Sequence, residues 1–171
     1  MWQFTGKQRP SFALAPNEAQ ESVWDYPRPP ICDEDDREVV IRFQETELAR
    51  TRRAIRVLET ASPPTVYLPP EDIRMELLKP SSNETFCEWK GAATYWSLHC
   101  EDLTVRNCAW SYASPSPRFD KISGYVSFYP ILVECWLGSE RVQPQKGGFY
   151  GGWVTPEIVG PWKGESGTTG W

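Results

Sequence analysis

Cys87–Gly91 places three kinds of reactive side chain within four positions. A lysine beside a glycine at the start of a strand can hold an anionic group, and Glu88 or Cys87 can transfer a proton or act as a nucleophile. In the alternative interpretation Cys87 and Trp89 are core residues and Lys90 is a surface charge beside a turn glycine. Placement and pKa decide between the two. We therefore treat Lys90 as a candidate catalytic residue.

Glu59 is the second catalytic candidate, because it closes the apolar stretch R-V-L-E. A partly buried carboxylate would have a raised pKa, which suits acid–base catalysis. The alternative is a salt bridge to a nearby arginine, and buried carboxylates are usually paired in this way. The available arginines are Arg52, Arg53, Arg56 and Arg74.

Aromatic rings and hydroxyl groups form the third candidate set. If the strands that carry them curl around one cavity, they line an apolar pocket with hydroxyl donors, which suits a planar organic ligand. The alternative is a packed core whose hydroxyls bond to the backbone. We take Tyr112 as the third catalytic candidate. The substrate-binding candidates are Tyr67, Tyr95, Trp110, Tyr125, Tyr129 and Arg53.

Several classes of function have no support in the sequence. It contains no nucleophile elbow, phosphate-binding glycine loop or dinucleotide fingerprint, so we expect no cofactor. Five cysteines without a C-x-x-C pair and one histidine, His99, predict no metal site. A net charge of -5 argues against general nucleic-acid binding.

Localisation follows from hydropathy and cysteine usage. No apolar run is long enough to span a membrane, and the first residues lack the apolar stretch of a secretory signal. An odd number of cysteines is typical of a reducing compartment. We expect a cytoplasmic protein without a membrane partner.

Proline, glycine and charge divide the chain into a proline-rich arm (1–37), a β core domain (38–142) and an aromatic, glycine-rich belt (143–171). Short alternating segments predict strands throughout the core, starting at E-V-V-I-R-F and including Thr65–Leu68. The type of element in residues 45–60 is ambiguous. Pro70 and Pro80 bound one predicted helix. The fold class is therefore mainly β, a small antiparallel sheet with one short helix.

The belt ends in G-G-F-Y-G-G-W-V-T-P-E-I-V-G-P-W-K-G-E-S-G-T-T-G-W. Disordered tails are polar and poor in aromatics, whereas this one holds Phe149, Tyr150, Trp153, Trp162 and Trp171. Leaving these rings in water would expose a large apolar patch. We expect ordered arms at both ends, with the belt packed on the domain or on a second subunit, which makes a homodimer possible.

Five motifs in order resemble the domain-of-unknown-function 427 family over Val23 to Trp171. They are V-W-D-Y-P-R-P-P, the segment from R-V-L-E-T to L-L-K-P-S, C-E-W-K-G-A-A-T-Y-W-S, the segment from A-W-S-Y to Y-V-S-F-Y-P, and the belt. The resemblance implies a β-tent, barrel-like fold. Zinc-binding relatives of that fold carry paired cysteines, which this chain lacks. The family sometimes carries a nucleotidyltransferase label, for which the residues give no physical basis.

Two positions depart from the family pattern. Arg50 stands where members often have an acidic residue, and Ala61 stands where they often have histidine. If either family residue were catalytic, this chain would have lost it or changed its chemistry.

Two hypotheses follow from the sequence. The first is a small cofactor-free enzyme that acts on a compact organic or aromatic substrate by proton transfer, as in isomerisation, dehydration or cyclisation. The second is a module that binds a small molecule, or assembles, without turnover. Charged groups at Glu59 and Lys90 that face one cavity would favour the enzyme.

Overall fold

The computed structural model describes residues 2–168 and 170–171, which form fifteen short strands and three 3-10 helices. The strands are β1 (Glu21–Ser22), β2 (Ile31–Asp35), β3 (Val39–Phe43), β4 (Thr46–Thr51), β5 (Ala54–Leu58), β6 (Thr65–Leu68), β7 (Leu78–Cys87), β8 (Gly91–Cys100), β9 (Leu103–Ser111), β10 (Val126–Phe128), β11 (Glu134–Leu137), β12 (Glu140–Arg141), β13 (Gln143–Pro144), β14 (Trp153–Val154) and β15 (Ile158–Val159). The 3-10 helices are Pro70–Asp72, Met75–Leu77 and Pro117–Ile122. No helix in this part of the chain is long and apolar enough to cross a membrane.

Two antiparallel sheets build the body of the molecule. One has seven strands in the order β2-β5-β6-β10-β9-β8-β7, and the other has four in the order β12-β11-β3-β4. Neither sheet closes into a barrel within the described residues. The main core contains apolar side chains from both sheets, including Ile41 and Cys135 from the smaller and Leu68 and Phe128 from the larger. The mainly β, antiparallel fold class predicted from the sequence is confirmed.

The seven-stranded sheet has a second apolar face, which carries the candidate site. Successive side chains of a strand point to opposite faces. In β6, Val66 and Leu68 therefore join the main core, whereas Tyr67 joins a separate cluster with Trp110 and Tyr112. The same alternation explains why one sheet builds both a core and a site.

The helix predicted between Pro70 and Pro80 is wrong. The segment makes two single 3-10 turns and then enters β7. Ile73 forms a β-bridge with Ala49 and is buried in the main core, which keeps the chain extended. Pro80 lies within β7, an edge strand whose register is interrupted there, and proline is tolerated at such positions.

The ambiguous residues 45–60 form two strands, β4 and β5. The first pairs with β3 and the second with β2 and β6. Because β2 lies within the segment assigned to the arm, the seven-stranded sheet begins before residue 37.

Both terminal segments are ordered. β1 from the arm pairs in parallel with β15 from the belt. Trp24 is fully buried, packs against the Trp171 ring at 5.1 Å, and donates from Nε1 to the Pro161 carbonyl at 2.8 Å. Trp153 inserts into the main core and donates to the Phe128 carbonyl at 3.1 Å. Arm and belt therefore hold each other on the domain, as expected from their aromatic content.

Candidate functional site

The second face of the seven-stranded sheet carries a cleft of about 280 Å³. Tyr67 and Trp110 of the sheet, the turn after β7, and Gly151, Gly152 and Lys163 of the belt all line it. This volume lies just below the roughly 300–1,000 Å³ of ordinary ligand pockets, so the cleft suits a compact molecule.

Seven of the nine residues singled out from the sequence line this cleft. They are Glu59, Tyr67, Lys90, Tyr95, Trp110, Tyr112 and Tyr129. The two others, Arg53 and Tyr125, line a separate surface depression with Lys121, and their assignment to the same site is corrected. Arg53 lies before β5 and pairs with Asp72 at 2.9 Å, while Tyr125 lies in the turn before β10.

A tight hairpin turn positions Lys90. Residues 88–90 connect β7 to β8, and Gly91 has a φ of +99°, a left-handed conformation that favours glycine in such turns. Ser116 fixes the turn from outside: its hydroxyl donates to the Trp89 carbonyl at 2.6 Å and its N–H donates to the Lys90 carbonyl at 3.2 Å. Lys90 therefore lies immediately before the strand that begins at Gly91, and the backbone of its turn is held by Ser116.

The Lys90 side chain is a buried cation, with only 7% of its surface exposed. Its ammonium nitrogen lies 5.7 Å from the ring centres of Tyr112 and Phe119. No carboxylate oxygen in residues 2–168 and 170–171 lies within 4.0 Å of it. Burial by itself lowers the pKa of Lys90, but interactions with Tyr67, Cys87 and Glu59 outweigh burial and raise the pKa above its ordinary value. Among the described residues, the buried ammonium group therefore has no carboxylate in direct contact, although Glu59 lines the same cleft.

The hydroxyls of Tyr67, Tyr112 and Tyr129 are protonated donors at neutral pH. Burial raises the pKa of Tyr67, although Lys90 opposes it, and burial also raises the pKa of Tyr112 and Tyr129. Tyr67 accepts a hydrogen bond from Trp110 Nε1 at 3.2 Å and keeps its own proton for another acceptor. Rings and donors thus surround the same space.

Glu59 lies at the side of the cleft in an ion-pair cluster. Its carboxylate is 3.6 Å from Arg28 Nη1 and 3.4 Å from Lys163 Nζ. Arg28 also lies over the Trp89 ring, 5.0 Å from its centre. Glu59 is thus ion-paired, but its partners come from the arm and the belt and are not the arginines named from the sequence. The arginines proposed from the sequence pair elsewhere: Arg52 with Glu38, Arg53 with Asp72, Arg56 with Glu21 and Asp33, and Arg74 with Glu76.

The belt supplies cleft residues that the sequence did not reveal. Gln145 is buried, accepts from the Gly152 N–H at 3.2 Å, and donates to the Lys163 carbonyl at 2.7 Å, which ties two parts of the belt together. Gly151 lies so close to Trp110 that a Cβ there would be 2.2 Å from the indole. The paired glycines Gly151 and Gly152 are the sequence signal that could have identified this close approach.

Metal ligands do not converge in the described residues. Within residues 2–168 and 170–171, no three His, Cys, Asp or Glu side chains are grouped to hold a metal ion. His99 lies outside the cleft and contacts the Thr104 hydroxyl at 3.3 Å.

Together, fold and site define a two-sheet antiparallel β domain with an aromatic cleft built around a buried cation. A family model described as domain of unknown function (DUF427) matches residues 31–139, so the chain belongs to that family. Its short name, NTP_transf_9, carries the nucleotidyltransferase label. The match is shorter than the resemblance over residues 23–171, and it leaves Arg28 and Lys163 outside. No curated protein matches the chain.

Proposed function

We propose that this protein is a small cofactor-free enzyme that binds a compact, planar organic anion and transfers a proton within it. The proposal depends on one observation above all: Lys90 and Glu59 line the same aromatic cleft, and no carboxylate oxygen of the described residues lies within 4.0 Å of the Lys90 ammonium nitrogen. A cytoplasmic location is part of the proposal.

Lys90 supplies the electrostatic part of the proposed chemistry. A buried charge is costly unless it is paired. A substrate carboxylate, or an oxygen that gains negative charge during the reaction, would provide the missing partner. Because Lys90 is buried among the rings of the cleft, its ammonium group would stabilise such a charge in a site that excludes most water, which is how preorganised sites lower barriers.

Glu59 is the proposed base. Arg28 and Lys163 hold its carboxylate beside the cleft. Removal of a proton from a carbon next to a carbonyl would place negative charge on the carbonyl oxygen, where Lys90 and the Tyr67 or Tyr112 hydroxyl would stabilise it. Isomerisations, dehydrations and cyclisations that proceed through an enolate begin with this step.

The second candidate function is binding or assembly without turnover. It is favoured by two rings at the cleft mouth, Phe86 and Phe149, which are 79% and 72% exposed. Rings in this position suit contact with a second copy through the belt. A monomer in sedimentation velocity at all accessible concentrations would argue against assembly.

Anion binding is tested with benzoate and its uncharged counterpart benzamide, using quenching of tryptophan fluorescence. We expect Lys90→Met to weaken benzoate binding by about 2 kcal/mol or more, roughly 30-fold in Kd, and to leave benzamide unchanged. Lys90→Arg, which retains the charge, is the control. Equal binding of benzoate by the wild type and Lys90→Met would remove Lys90 from the site.

Proton transfer is tested with phenylpyruvate in D₂O, by the loss of its benzylic signal in the NMR spectrum. We expect the wild type to accelerate exchange and Glu59→Gln to reduce the acceleration by roughly 100-fold, the usual contribution of a positioned base. The thermal midpoint of the variant should stay near that of the wild type. Benzoate binding without any accelerated exchange would favour the second candidate function.

A further inference from the structure

Cys87 lines the cleft, but the proposed proton transfer gives it no role. It is the last residue of β7, is half-buried and forms no disulfide. Its side chain lines the same cleft as Lys90. Cys87 and Lys90 are three positions apart at the turn between β7 and β8, and both line the cleft. The thiol is also one of the groups that raise the pKa of Lys90.

The other four cysteines have different surroundings. Cys100, Cys108 and Cys135 are buried in the main core. Burial raises the pKa of Cys108 to about 11, and it raises the pKa of Cys135 as well. Cys32 is half-buried in β2, and burial raises its pKa although Lys121 and Lys90 oppose this. In the part of the chain that the structure describes, Cys87 is the only thiol that lines the cleft.

We propose that Cys87 is a nucleophile that forms a covalent bond with electrophiles carrying a carboxylate, which Lys90 holds beside the thiol. The thiolate is the reactive form of cysteine. The Cys87 proton passes to solvent, and the sulfur attacks the electrophilic carbon. In the simplest case an S–C bond forms and a halide leaves with the electron pair of the broken bond, so no oxidant or reductant is needed.

This inference rests on the anion-binding role of Lys90 in the proposed function, and it adds a class of ligand. A buried cation with no carboxylate in direct contact attracts an anionic reagent over a neutral one of equal size. Iodoacetate and iodoacetamide form such a pair, since both transfer a two-carbon unit to sulfur and differ in charge.

The experiment compares alkylation of Cys87 by the two reagents at neutral pH, with peptide mass spectrometry to separate the five cysteines. For the wild type we expect the ratio of the iodoacetate rate to the iodoacetamide rate to exceed that of glutathione in the same buffer by about tenfold or more. Lys90→Met should return the ratio to that of glutathione, while Lys90→Arg should keep most of the preference. A wild-type ratio equal to that of glutathione, or one unaffected by Lys90→Met, would overturn the inference.

Competition in the wild type gives a second readout that needs no variant. Benzoate should slow carboxymethylation of Cys87, and benzamide should not; equal protection by both would count against the inference. Protection of Cys100, Cys108 and Cys135 shows that each variant is folded. Lys90-dependent benzoate binding without charge-selective alkylation would refute only the covalent site. Selective alkylation without accelerated phenylpyruvate exchange would refute only the proton-transfer function.

Discussion

The backbone of the belt at Gly151 lies directly against Trp110, which lines the cleft. A Cβ added at Gly151 would be 2.2 Å from Cη2, 2.7 Å from Cζ3 and 3.2 Å from Cζ2 of the indole. Ordinary contacts begin at 3.4 Å, so in Gly151→Ala either the belt or the ring must move by more than 1 Å. Trp110 is held by its hydrogen bond to Tyr67 and by the Tyr129 ring at 4.5 Å. We therefore expect that neither the belt backbone nor the Trp110 ring can move without a cost in stability.

The expected cost of Gly151→Ala is about 1–3 kcal/mol, the range for an overpacked core. For a domain of this size that corresponds to a decrease of roughly 3–10 °C in Tm. Because the displaced ring lines the cleft, benzoate affinity should decrease as well.

The assay is urea unfolding of the wild type, Gly151→Ala, Trp110→Phe and the double variant. Phenylalanine lacks the indole atoms that clash, so most of the cost of Gly151→Ala should disappear in the Trp110→Phe background, with a coupling energy of about 1 kcal/mol or more. Gly148→Ala is the control, because its Cβ meets nothing within 4 Å and its cost arises from a φ of +68°. An equal cost of Gly151→Ala in both backgrounds would refute the contact.

Two further predictions concern how the arm and the belt are held. Burial by itself raises the pKa of Asp35, but Arg37 and Arg56 outweigh burial and lower the pKa below its ordinary value. The stabilising contribution of Asp35 is therefore present above about pH 4 and is lost below it. Urea unfolding should show Asp35→Asn to be about 3 kcal/mol less stable than the wild type at neutral pH, with a smaller difference at acid pH; a constant difference would contradict this. Truncation before Gly147 removes Trp153, which is 1% exposed, and should cost about 3–5 kcal/mol in calorimetry, whereas an unchanged Tm would show that the belt is dispensable.

The strands of the core could be predicted because each has a local cause. Alternation of apolar and polar residues and the turn residues at their ends identify Val39–Phe43 and Thr65–Leu68 within a few positions. It could also be predicted that the belt is ordered, because its aromatic rings are too apolar to remain exposed to water. The helix prediction failed because helix-favouring signals around Pro70 are weak beside the burial of Ile73 and its pairing with Ala49.

The candidate site was predictable only in part. The cleft aromatics on β6, β8 and β9 share a face by alternation, so the sequence could suggest that they meet. The prediction that Tyr125 lines the cleft was wrong because Tyr125 lies just outside β10, where strand alternation no longer determines the face that a side chain occupies. The prediction that Arg53 lines the cleft was wrong because Arg53 forms an ion pair with Asp72 outside the cleft.

By itself, the sequence determined the fold class, the ordered belt and the residue types available for chemistry, because alternation and burial depend on near neighbours. Only the tertiary structure decided which charges meet. Glu59 finds Lys163, 104 positions away, instead of the arginines beside it, while Lys90 meets no carboxylate among the described residues. Charge pairing depends on distance in space and on exclusion of water. Both are determined only in the folded protein, in which the arm and the belt pack on the sheet.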